Sequence, residues 1–136
     1  MQVKTTALRA LFLGGCLATL PLSLALAQAE MDFTAAKSAA DADEASLDAA
    51  TSAAALEQQR AFLDARVAAC ANIRTTAQLE DFVVVAELDA SGRVTNTWRR
   101  GDSPLALCIE RDARGKVMFV PPHAPFHASL EVGFTP

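Results

Sequence analysis

The chain contains no tyrosine, one tryptophan, two histidines and three cysteines among its 136 residues. So few cysteines exclude a small disulfide-rich scaffold. Six glycines without a three-residue period exclude a collagen. The only long uncharged run is N-terminal, so the chain is not a polytopic membrane protein. Basic residues are outnumbered, twelve Lys and Arg against sixteen Asp and Glu. No long basic face is available for a phosphate backbone, which excludes nucleic acid as a partner. Neither Gly-x-Ser-x-Gly, nor His-Glu-x-x-His, nor a phosphate-binding glycine loop occurs.

What the chain does have is alanine, 29 residues, most of them between Ala29 and Ala77. The first 27 residues have the form of a secretory signal. Lys4 and Arg9 precede an uncharged run from Ala10, and Ala25-Leu26-Ala27 makes a small-x-small cleavage site before Gln28. This predicts export to a bacterial periplasm or beyond, with no stable membrane span after cleavage. Leu13-Gly14-Gly15-Cys16 looks like a lipoprotein signal, but the sequence stays apolar after Cys16, against lipidation. Export leaves Cys70 and Cys108 in an oxidising compartment, where two cysteines of one small domain are expected to pair.

Composition divides the remainder. Glu30 to Asp64 holds eight acids and two bases, whereas Arg66 to Pro136 holds eight of each. Residues 28–55 have little large apolar side chain to bury and read as an Ala-rich acidic tether, a frayed helix or a solvated chain. Residues 56–136 read as a folded domain. Leu56, Leu63, Val67 and Cys70 make one stripe of an amphipathic helix, flanked by Phe62 and Ile73, with Arg60, Asp64 and Arg66 mostly off it. Phe82, Val84, Ala86 and Leu88 alternate with Val83, Val85 and Glu87, as in a strand. Asp89-Ala90-Ser91-Gly92 supplies a turn, and Val94, Asn96 and Trp98 predict one face of the returning strand.

Ser103 is placed to cap a second helix that opens with Pro104 and ends before Gly115. Leu105, Cys108 and Ile109 share its inward face. Cys108 thus faces the core from this helix as Cys70 does from the first, which agrees with a Cys70–Cys108 disulfide. Ala128, Leu130, Val132 and Phe134 predict a closing strand. The order α-β-β-α-β predicts an α+β fold, a small antiparallel three-stranded sheet with two helices packed on one face.

Phe82-Val83-Val84-Val85, Leu88-Asp89-Ala90-Ser91-Gly92-Arg93-Val94, Ser103-Pro104-Leu105 and Phe119-Val120-Pro121-Pro122 together resemble the TonB/TolA C-terminal domain over about residues 56–135. The resemblance implies that fold and a partner strand added to the sheet. The chain lacks the family's Pro-rich linker, so energy transduction is not implied with it.

Two groups stand out as candidate sites. Trp98, Arg99 and Arg100 carry residue types that anchor protein interfaces; the alternative is a core Trp98 with the arginines solvated or paired with acids such as Asp102 or Glu110. His123 and His127 are four apart, a metal-ligand spacing on a helix, but Pro121, Pro122 and Pro125 exclude a regular helix there. The sequence therefore points to a non-catalytic exported interaction module without a cofactor, which binds an envelope protein or a second copy of itself at a sheet edge. The alternative is a small envelope metal-binding protein or enzyme that uses His123 and His127. Which strand is the open edge is not legible at this level.

Overall fold

The computed structural model describes residues 30–73 and 79–134. The signal segment, residues 1–27, lies outside the described residues. Helices α1 (Phe33–Ala45) and α2 (Ala49–Ala69) precede strands β1 (Phe82–Leu88) and β2 (Val94–Arg100), helix α3 (Pro104–Ala113) and strand β3 (Phe126–Val132). The strands form one antiparallel sheet in the order β2-β1-β3, so β1 is central and both later strands are edges. The α+β class and the three-stranded sheet expected from the sequence are both present.

Alternation along β1 builds two cores. Phe82, Val84, Ala86 and Leu88 face α2 and α3, where they meet Phe62, Ile109, Phe126 and Leu130. Val83 and Val85 face the other way, against Ala36, Ala40, Phe33 and Trp98. Phe82, Val84, Val85, Ala86 and Leu88 are each 3% exposed or less, and Val83 is partly buried. The apolar run Phe82–Val85 follows from this, because a central strand covered on both sides needs apolar residues at successive positions.

The cover on the second face corrects the expected tether. Residues 33–45 form a capped helix, with Asp32 accepting from the Ala35 amide at 2.8 Å. Ala36 and Ala40, four apart, are fully buried against the sheet. Alanine is small enough to bring the helix backbone close to the strands, so little large apolar side chain is needed to bury a face. Asp48 caps α2 in the same way, through the Thr51 amide at 2.9 Å. The domain boundary drawn between residues 55 and 56 falls inside α2.

The buried stripe of α2 is also rotated from the expected one. Ala55, Gln59, Phe62 and Cys70 are buried, whereas Leu56 is 61% and Val67 40% exposed. Phe62 and the disulfide set this orientation, the first by its size and the second by its bond. Cys70 and Cys108 are joined across a separation of 38 residues, tying the end of α2 to the middle of α3. Arg66 Nε lies 2.6 Å from Asp112 Oδ2 and reinforces the same contact.

The sequence places Val94, Asn96 and Trp98 on one face of β2; the structure does not. Leu88 pairs with Val94 and Glu87 with Asn96, so β2 carries one extra residue at this point. The bulge puts Val94 in the larger core and Trp98 in the smaller one. At the hairpin, Gly92 has φ +81°, and an added Cβ there would collide with the Phe119 carbonyl. Ser103 caps α3 through the Ala106 amide at 3.2 Å, with Pro104 in the first turn, as expected.

Candidate functional site: the two edges of the sheet

Outward-facing backbone at the edge of an antiparallel sheet alternates with backbone bonded inward. On β3 the outward amides are those of His127, Ser129 and Glu131. Two are already occupied. Asp43 Oδ2 accepts from the His127 amide at 2.7 Å, and Glu44 Oε1 accepts from the Ser129 amide at 2.9 Å. Adjacent carboxylates at the end of α1 thus stand where the carbonyls of a fourth strand would stand. Glu44 is itself held by Gln59 Nε2 at 3.0 Å, from α2. Beyond Ser129 the edge has no such cover, and Glu131 and Gly133 are exposed.

That open stretch borders a groove of about 410 Å³ between β3 and α2. Leu56, Leu63 and Leu130 supply its apolar surface, and Gln59, Arg60, Glu44 and Glu131 its polar one. Glu131 pairs with Lys37 Nζ at 3.1 Å across the edge. The hydrogen bond that Lys37 donates to Asp41, opposed by burial and reinforced by Glu131, holds the Lys37 pKa above its ordinary value.

The β2 edge is covered differently. The Val94 amide donates to Lys116 O at 2.9 Å, and the Gly115 amide donates to Val94 O at 2.9 Å. The Thr97 amide, the next outward one after the bulge, is taken by Asn96 Oδ1 at 2.9 Å. Arg99 carries the outward amide of β2 that stays uncovered, as Glu131 does on β3. Among the described residues β3 is therefore set apart by the apolar groove beside it and not by a longer open edge.

Trp98, Arg99 and Arg100, singled out in the sequence, lie on β2 but do not act together. Trp98 is half-buried in the smaller core, and its Nε1 donates to Met31 O at 2.6 Å. It flanks a depression of about 1120 Å³ bordered by Met31, Asp32, Asn96 and Arg114. Arg99 points to the α3 side, with Nε 3.0 Å from Glu110 Oε2 and Nη1 2.7 Å from Asp102 Oδ1. Asp102 and Glu110 cannot meet each other on one helix face, yet both meet on Arg99. Asp102, then Glu110, hold the guanidinium charged against the effect of burial. Arg100 is exposed, and its guanidinium lies 5.0 Å from the centre of the Phe33 ring.

The two histidines converge on one acid. His127 Nδ1 lies 3.0 Å from Asp43 Oδ2, and His123 Nε2 lies 3.8 Å from Asp43 Oδ1. Because an ionised carboxylate only accepts, His127 carries a proton on Nδ1 in this contact. Its other nitrogen lies 3.5 Å from Glu87 Oε2. Among the described residues no group of three or more His, Cys, Asp and Glu is arranged to hold a metal ion. The chemistry of the pair is attachment: His127 joins β3 to α1. Sequence reasoning missed Asp43 and Glu44, whose role is set by backbone amides more than eighty positions away.

The Cys70–Cys108 disulfide fits an oxidising extracellular compartment, and no helix among the described residues is long and apolar enough to cross a membrane. Comparison of the chain with protein-family models, curated proteins and solved structures finds no match.

Proposed function

We propose that this protein is a non-catalytic, exported interaction module of the TonB C-terminal type that binds an envelope partner by adding a strand to β3. The observation that carries this reading is the β3 edge itself. It is plugged by Asp43 and Glu44 at His127 and Ser129 and left open from Glu131 onward, beside an apolar groove. Backbone pairing would supply affinity there, and side chains entering the groove would supply specificity. No cofactor and no covalent step is needed. The disulfide and the form of the first 27 residues support a periplasmic location.

The test uses oxidised protein lacking residues 1–27 as bait in a bacterial envelope extract. Its control is Glu131→Pro, which removes one outward N–H while leaving the pairs with β1 intact. A specific partner held by the native bait and lost by the folded proline variant is the expected result. A partner held equally by both baits overturns strand addition at β3.

A further inference from the structure

Trp98 stands between two groups of hydrogen-bond acceptors. Its Nε1 donates to Met31 O at 2.6 Å on one side, and its ring lies 5.9 Å from the His127 ring on the other. Glu30 and Asp32 flank Met31 in the chain. Glu87 lies beside His127, with Oε2 3.5 Å from the imidazole Nε2. Glu87 and His127 pair across β1 and β3, and Glu87 shares the α1 face of the sheet with Val85. Glu30, Asp32, Glu87 and Trp98 all border the depression of about 1120 Å³.

The charges there do not balance. Among the described residues no ion pair includes Glu30 or Asp32. Asp32 gives one oxygen to the Ala35 amide, and Glu87 gives Oε1 to the Thr95 hydroxyl at 3.0 Å. Each keeps its second oxygen. Arg114 is the cation on the border, and it is committed to Glu110 and Thr97. His127 supplies a separate sign of a missing partner. It is 6% exposed, and its Nδ1 proton goes to Asp43. Its Nε2 is then a buried lone pair, aimed at Glu87 in the wall of the depression and without a hydrogen-bond partner among the described residues. Two acceptors that face each other call for a donor between them.

We propose that this depression binds an aliphatic diamine, a dication with a primary ammonium at each end of an apolar chain. One ammonium donates to Glu87 Oε2 and His127 Nε2. The other meets the carboxylates of Glu30 and Asp32. The methylenes between them cross the indole of Trp98, whose face also attracts the charged ends. The acids are divided between two sides of a ring. Among the described residues no three of the His, Cys, Asp and Glu side chains converge to hold a metal ion, so the division suits two linked charges and not one compact ion. The site does not rest on strand addition.

Trp98 is the only tryptophan and the chain has no tyrosine, so intrinsic fluorescence reports on the site directly. The oxidised protein lacking residues 1–27 is titrated with putrescine and with the monoamine butylamine at one ionic strength, with calorimetry in parallel. Putrescine is expected to give a saturable change in Trp98 emission, and butylamine to bind about tenfold more weakly. Glu87→Gln is expected to weaken putrescine by about the same factor. Glu30→Gln, at an exposed position, should act in the same direction if Glu87→Gln fails to fold.

Butylamine that binds as tightly as putrescine overturns the proposal, as does putrescine that changes neither emission nor heat. Displacement of putrescine by equimolar magnesium makes a compact ion the ligand and overturns the diamine. A short lysine peptide that binds more tightly than putrescine makes a partner's side chain the occupant and overturns it equally. Nitrogen shifts that show protons on both His127 ring nitrogens at neutral pH fill the lone pair and remove the ammonium from that position.

Discussion

Asp43 Oδ2 receives two hydrogen bonds from a single residue, the His127 backbone amide at 2.7 Å and the His127 ring Nδ1 at 3.0 Å. Both donors are largely buried, and removal of the acceptor leaves them without a replacement. Asp43→Ala is expected to lower stability by about 2 kcal/mol in urea unfolding. Amide exchange at His127 should accelerate with it. An unchanged unfolding midpoint would show that the contact contributes nothing net.

Reduction of Cys70–Cys108 frees a loop with a 38-residue separation. Chain entropy sets the loss at about 4 kcal/mol, a large share of the stability of so small a domain. The Cys70→Ala, Cys108→Ala double variant should show that loss in chemical denaturation, and the native protein should show no free thiol in mass spectrometry under non-reducing conditions. Two titratable thiols in freshly purified protein would refute the pairing.

Arg99 is tied to Asp102 and Glu110, and both its side chain and that of Glu110 are under one-fifth exposed. Arg99→Met strands the Glu110 carboxylate with Thr97 and Arg114 alone. The expected cost is about 2 kcal/mol. Arg100→Ala, at an exposed site over Phe33, should cost less than about 1 kcal/mol. Equal costs would mean that the ion-pair cluster has no special role.

Asp89 organises the β1–β2 turn. The Ser91 hydroxyl, then the Arg93 amide, hold its carboxyl below the ordinary 3.8. A carboxyl depressed in the folded state adds stability above its unfolded value and loses that contribution as pH falls through its folded value. Asp89→Ala should therefore lower the thermal midpoint at neutral pH, and the gap to wild type should close below 3.8. A gap independent of pH would place the effect in packing instead.

Gly92 is the position where a single methyl should do most harm. Its φ of +81° strains any L side chain, and the Cβ would meet the Phe119 carbonyl. Gly92→Ala is expected to cost about 3 kcal/mol, measurable as a lowered urea midpoint. A variant as stable as wild type would show that the hairpin shifts freely.

Much of this fold was legible because its signals are local. β1 is announced by its alternation, α3 by Ser103 and Pro104, and the disulfide by two cysteines on inward helix faces. The docking of α1 was not, because Ala36 and Ala40 seal a surface by being small, and hydrophobic periodicity weights large residues. The bulge in β2 follows from pairing with Glu87 and Leu88 and leaves no glycine as a marker. The edge contacts of Asp43 and Glu44 were the hardest to foresee. An acid that binds a distant backbone amide looks, in sequence, like any solvated acid.

The close seating of α1 makes residue volume a control on what the sheet presents to its surroundings. Ala36 and Ala40 are fully buried where the helix meets the strands, while Asp43 and Glu44 follow on the same helix. A bulkier side chain at either alanine lifts the helix and withdraws both carboxylates together. A few added methylene groups on a helix would then appear on β3 as bare amides, converting a guarded edge into one that seizes any extended chain.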